Sequence, residues 1–240
     1  PISSSGIAIY SSNGGMLVEP EPPTPPEPGD ICPSTGPCRI LPFGDSITFG
    51  LSSTNGGGYR SFLYDIATTA GKDITFVGGE ADGPNNFPRT HQGHSGWTIY
   101  PVGSASGISS KLPSPALDDD PNIILLHIGT NDVYQQPDNM DVRLGNLIDE
   151  LNNLAPEALI VVATIVPSTS SFVPNSVIVD YNSKIPDIVQ ARADMGFRII
   201  LVDQYQGFPG SDLADGIHPS DAGYERMANK WYEAIEAYLP

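Results

Sequence analysis

The chain has 240 residues, 39% of them hydrophobic, which is enough for one full-sized domain with its own core. Its 28 acidic residues against 11 basic ones give a formal net charge of −17. Such a surface repels phosphate backbones and anionic lipid heads, so neither nucleic acid nor a membrane is an expected partner, whereas a neutral polymer is compatible with it.

Residues 1–38 are rich in Ser, Gly and Pro and centre on Pro20-Glu21-Pro22-Pro23-Thr24-Pro25-Pro26-Glu27-Pro28. That run suits neither a helix interior nor a central strand and predicts an extended polyproline-type spacer, either a tether to another module or a tail packed on its own domain. Cys32 and Cys38 are separated by five residues that include Gly36 and two prolines. They are expected to close a small disulfide, which implies an oxidising, extracellular compartment. There is no run of 18 apolar residues to span a membrane. No basic segment leads into an apolar one at the start, so these residues hold no export leader, although one could have been removed.

From residue 39 to residue 240 short apolar runs alternate with amphipathic ones, and this stretch is read as one domain. Residues 40–43 form a first strand. Residues 59–70 form a helix that Gly71 stops, and residues 74–77 a second strand. Residues 80–98 read as a long loop. Residues 122–128 make a third strand, and Leu144, Leu147, Ile148, Leu151 and Leu154 recur at helical spacing. Residues 159–165 make a fourth strand, residues 177–195 a helix with Pro186 as a point of interruption, and residues 197–202 a fifth strand. Met227, Trp231, Ile235 and Tyr238 mark one face of a last helix. Strands that are apolar on both faces, each followed by a helix, predict an α/β protein: a three-layer α/β/α sandwich around a five-stranded parallel sheet. Chemistry on such a sheet belongs past the carboxyl ends of the strands.

Four segments fall on that side. Gly44-Asp45-Ser46-Ile47-Thr48 follows the first strand, where a serine can act as nucleophile once a base takes its proton; a turn or helix-capping serine would look the same. Asp215-Gly216-Ile217-His218-Pro219 precedes the last helix, and its spacing lets the carboxylate orient one imidazole nitrogen while the other faces the serine. Gly129-Thr130-Asn131-Asp132 follows the third strand, and the Asn131 amide can donate to an oxyanion. Ser95-Gly96-Trp97-Thr98 can present the Gly96 amide to the same oxygen. The expected roles are thus catalytic for Ser46, Asp215 and His218, and oxyanion-binding for the Ser46 and Gly96 amides and Asn131. His94, Trp97 and Tyr100 are weaker candidates for lining a sugar site, with ordinary packing as the alternative. His91 reads as a loop residue, His127 as a satisfied core histidine, Asp45 as a turn anchor, and Asp118-Asp119-Asp120 as a solvated loop rather than a calcium site.

These blocks resemble the SGNH (GDSL-type) hydrolase superfamily, whose four hallmark residues match Ser46, Gly96, Asn131 and His218. Within it, the wording of residues 39–48, 93–98 and 126–132 is similar to carbohydrate esterase family three, and to its fungal catalytic domains in particular. The resemblance covers about residues 39–240. It implies a flavodoxin-like sandwich, hydrolysis through an acyl-enzyme, no cofactor and no metal. It also implies a secreted acetylxylan esterase acting on acetylated polysaccharide, with the Pro-rich tail joining a carbohydrate-binding module. Nothing points beyond a monomer. An esterase for aryl or lipid esters and a non-catalytic carbohydrate-binding protein are the alternatives; the polar Gly/Asn/Pro-rich loops favour a small acyl group.

Overall fold

The computed structural model describes Glu27 and residues 31–240. The expected polyproline spacer, apart from Glu27, lies outside the described residues.

The chain runs β1 (Cys38–Gly44), α1 (Ser46–Phe49), α2 (Gly58–Thr69), β2 (Ile74–Phe76), β3 (Glu80–Ala81), β4 (Thr90–Gly93), β5 (Ile123–His127), α3 (Thr130–Gln135), α4 (Met140–Leu154), β6 (Leu159–Ala163), α5 (Asn175–Asp194), β7 (Ile199–Val202) and α6 (Asp221–Ile235). Strand β1 lies at the centre. One edge pairs with β5, which leads on to β6 and β7; the other pairs first with β2 at residues 38–40 and then with β4 at Phe43 and Gly44. All these pairings are parallel, and only β3 runs antiparallel, to β4.

The five expected strands are present, but among the described residues the sheet has seven. The two extra strands lie within residues 80–98, read from sequence as loop. Strand β4 is Thr-His-Gln-Gly and meets β1 over two residue pairs, so it carries no apolar run to betray it. Two other expectations also need correction. Helix α5 passes through Pro186 without a break, with that proline on its exposed side. The folded body also begins before residue 39. Ile31 is buried in the core, and Cys32 is bonded to Cys38 with their Cα atoms 5.0 Å apart, which ties the entering chain to the start of β1.

Alternation along each strand builds the layers. Ile40, Ile123, Leu125, Leu159 and Val161 face one side, against Tyr59, Leu63 and Ala67 of α2 and Tyr224, Met227, Trp231 and Ile235 of α6. Leu41, Phe43, Ile124, Leu126, Ile160 and Val162 face the other, against Leu144, Leu147 and Leu151 of α4 and Ile178, Ile185 and Val189 of α5. Each of the buried Leu, Ile, Val, Phe and Met side chains contributes about 1.5–3 kcal/mol. Among the described residues no helix is long and apolar enough to cross a membrane.

Candidate active site

Strand β1 ends at Gly44, where no other residue fits. An added Cβ would lie 2.1 Å from the carbonyl oxygen of His127 on β5 and 2.5 Å from Thr48 Oγ1. Asp45 then caps the single turn of α1, its Oδ1 accepting from the Ile47 amide at 2.9 Å. Gly50, with φ +97°, closes the turn by donating to the carbonyls of Ser46 and Ile47. Ser46 is thereby held at the carboxyl edge of the sheet.

The loop before α6 brings His218 to Ser46. Ser46 Oγ and His218 Nε2 are 2.9 Å apart, and His218 Nδ1 is 2.7 Å from Asp215 Oδ2. A carboxylate can only accept, so the imidazole proton sits on Nδ1 and Nε2 is left to accept from the serine. The other oxygen of Asp215 accepts from the amides of Ile217 at 3.0 Å and His218 at 2.8 Å. Partial burial works against the charge on Asp215, but the hydrogen bonds from the His218 amide and ring and the Ile217 amide outweigh it and hold the carboxyl below its ordinary range. The loop itself is fixed by Ala214 N donating to His218 O and by Gly216 O accepting from Ser168 Oγ and the amides of Thr169 and Ser170.

On the opposite side His94 N donates to Gly44 O at 3.0 Å, hanging residues 94–97 on the end of β1. Gly96 has φ +81° and open space where a side chain would project, so backbone conformation rather than crowding calls for glycine. The Asn131 amide donates to Trp97 O at 2.9 Å, which brings Asn131 to the Gly96–Trp97 segment and leaves its second N–H available. Gly129, with φ +130°, lets β5 turn into α3 directly against the Tyr181 ring. Asp132 is fully buried, takes the Ile99 amide at 3.0 Å and faces Arg143 at 3.3 Å. Burial raises Asp132 to about 6, and likewise Asp45.

The weaker candidates are held by the protein itself. His94 is buried, bonds Gln92 Oε1 through Nε2 at 2.7 Å and stacks on Trp97 with ring centres 4.5 Å apart; the Lys111 ammonium lies 5.2 Å from the same indole. Burial, then Lys111, lowers His94 to about 4. Tyr100 donates to Glu150 Oε1 at 2.8 Å and lies under the Arg143 guanidinium. His91 is not a loop residue: it is fully buried in β4, its Nδ1 accepting from the Gly93 amide and its Nε2 facing Asp82 at 3.5 Å. His127 is buried as expected but not satisfied, since neither ring nitrogen has a hydrogen-bond partner, and burial lowers it to about 4. Asp119 and Asp120 are exposed, and Asp118 accepts from Ser114 Oγ. Among the described residues no group of three or more His, Cys, Asp or Glu gathers in a way that could hold a metal ion.

Sequence reasoning passed over Arg60. This fully buried residue on the inner face of α2 donates to the carbonyls of Thr48 and Phe49 at the end of α1, and to those of Gly56, Asp82 and Arg89. Its signal was an arginine placed among the core positions Tyr59, Leu63 and Ala67.

Residues 43–226 match the pattern of the GDSL-like Lipase/Acylhydrolase family. The chain belongs to this family. Membership places it in the class of carboxylic ester hydrolases. A multidomain esterase of Ruminococcus flavefaciens is 33% identical over 86% of this chain and 29% of its own length. A putative endoglucanase X of Acetivibrio thermocellus is 31% identical over 55% of this chain and 57% of its own. The chain thus spans less than two thirds of the length of these curated relatives. A family 3 carbohydrate esterase from Clostridium thermocellum superposes with a TM-score of 0.73, at 34% identity, over 84% of this chain and 98% of that one. A family 3 carbohydrate esterase from Talaromyces cellulolyticus has a TM-score of 0.66 at 24% identity, over 82% and 96%, a likeness of fold. A fungal affinity is therefore not singled out.

Proposed function

We propose that this chain is a serine esterase that removes acetyl groups from a plant polysaccharide of the acetylated-xylan type, working outside the cell. The observation that carries the reading is the chain of contacts from Ser46 Oγ to His218 Nε2, at 2.9 Å, and from His218 Nδ1 to Asp215 Oδ2, at 2.7 Å. Ser46 Oγ attacks the acetyl carbonyl as His218 Nε2 takes its proton, and Asp215 fixes the tautomer and stabilises the imidazolium. The amides of Ser46 and Gly96 and the free N–H of Asn131 receive the oxyanion. His218 then gives the proton to the leaving sugar oxygen. Water, activated by the same imidazole, hydrolyses acetyl-Ser46 and releases acetate.

The acetyl-carbohydrate substrate rests on the 34% identity to a family 3 carbohydrate esterase and on the polar Gly/Asn/Pro-rich composition of the loops. Extracellular operation rests on the disulfide and the acidic surface. The tether to a carbohydrate-binding module rests on the Pro-rich stretch and on likeness to one part of a multidomain esterase.

Acetate release from acetylated xylan, with a long-chain aryl ester run in parallel, tests the substrate. Release from xylan with little long-chain cleavage is the expected result. Rapid long-chain cleavage without release from xylan would keep the serine chemistry and overturn the substrate, and turnover of neither would point to a carbohydrate-binding protein.

A further inference from the structure

In acyl transfer the base returns its proton to the departing alcohol, so the alcohol half of the ester must lie against His218 Nε2. The carbonyl oxygen is drawn the other way, toward Gly96 and Asn131. The leaving group therefore belongs on the side of residues 213–220. That loop is laced to the segment after β6, where Gly216 O accepts from the Thr169 amide at 2.8 Å, the Ser170 amide at 3.2 Å and Ser168 Oγ at 2.9 Å.

Two residues further on is Phe172. It is 71% exposed, the most exposed of the large hydrophobic side chains among the described residues. The turn that carries it is anchored: the Phe172 amide donates to Ser170 Oγ at 3.2 Å, the next residue, Val173, is buried, and α5 starts at Asn175. Tyr134, 54% exposed, stands one helical turn past Asn131 in α3, and side chains three apart share a helix face. Both rings thus stand on connections that leave the carboxyl ends of β5 and β6, the strands that follow β1 across the sheet. Trp97 and Tyr100, by contrast, are already engaged by His94, Lys111, Arg143 and Glu150.

We propose that Phe172 and Tyr134 form an aromatic rim that stacks the pyranose rings of the polymer, Phe172 taking the sugar that departs from His218. The proposal rests on the esterase reading above. Exposed aromatic faces suit the C–H faces of a neutral sugar, and a net charge of −17 disfavours an anionic leaving group. A long acyl chain would extend away from the leaving group and so away from Phe172.

The test compares wild type with Phe172→Ala, Phe172→Tyr and Tyr134→Ala on acetylated xylo-oligosaccharides and on ethyl acetate, which has no pyranose ring to stack. Met195→Ala, an equally conspicuous exposed residue beyond the far end of α5, serves as control. For the oligosaccharide, Phe172→Ala should raise KM about tenfold with kcat little changed, on the order of one aromatic contact. Tyr134→Ala should act in the same direction, Phe172→Tyr should restore KM, and Met195→Ala should leave it unchanged. Turnover of ethyl acetate should be unaffected throughout. Wild-type KM in both alanine variants would overturn the rim alone, as would an equal loss on ethyl acetate. A wild-type enzyme that cleaves ethyl acetate but not the oligosaccharide would overturn the polysaccharide reading and the rim together.

Discussion

Arg60 offers the sharpest energetic test of how the turn that carries Ser46 is held. Its guanidinium is met by five backbone carbonyls at 2.9–3.3 Å, two of them at the end of α1, and burial lowers its pKa to about 10. Lysine keeps the charge but has three donors, so at least two carbonyls would lose their partner. Each orphaned buried carbonyl costs about 1–3 kcal/mol, so Arg60→Lys should lose roughly 2–6 kcal/mol. Arg60→Met strands all five carbonyls, a gross cost offset in part because no charge is then buried, so a loss at least as large as that of the lysine variant is expected. Against a total of about 5–15 kcal/mol these are large losses, readable in the midpoint of urea unfolding. Because Thr48 O and Phe49 O belong to the turn that begins at Ser46, kcat on ethyl acetate should fall in the folded lysine variant. A loss below about 1 kcal/mol in Arg60→Met would refute the reasoning by showing that water serves the carbonyls equally well.

Three further outcomes are expected. Gly44→Ala forces a methyl group to within 2.1 Å of His127 O, so β1 and β5 must part; calorimetry should show a loss of about 3 kcal/mol, at the upper end for overpacking. Asn131→Ala should lower kcat by about 10²–10³ with a smaller change in KM, since it removes one donor to the oxyanion; equal kcat in mutant and wild type would remove Asn131 from that role. Asp45 keeps its proton up to about pH 6 in the folded chain, because burial opposes its charge, whereas the unfolded carboxyl releases it near pH 4. The folded state then binds more protons between those limits, so this group's contribution to stability falls as pH rises through the window, by up to about 3 kcal/mol. Asp45→Asn retains the oxygen that caps Ile47 and should flatten that fall in urea titrations at pH 4 to 7; an unchanged slope would show that Asp45 is ionised throughout.

Much of this molecule was legible in its sequence where one physical signal dominates. Strands β1, β5 and β6 are buried on both faces, and an unbroken apolar run can hardly be read otherwise. The glycines at 44 and 129 and the Asp215–His218 spacing marked the carboxyl edge of the sheet because turns and close approaches restrict residue choice. The remainder depends on tertiary contacts that leave no local pattern. Strand β4 is polar and exists because Gln92 and Gly93 pair with the end of β1. Pro186 sits on the outer side of α5, where packing along the inner face carries the helix through it. His127 looked like a residue that would find a partner, yet the pairing of β5 with β1 seals it in without one. Phe172 gave no signal at all, since its loop position acquires meaning only when Gly216 O ties residues 168–170 to the loop that carries His218.

The most direct test of the central claim is covalent trapping of the nucleophile. A fluorophosphonate forms a serine–phosphorus bond with loss of fluoride, and intact-mass measurement followed by peptide mapping locates it. One adduct per chain on Ser46, absent in Ser46→Ala and formed far more slowly in His218→Ala, is the predicted result. Labelling that persists in Ser46→Ala, or that proceeds at the wild-type rate without His218, would contradict it.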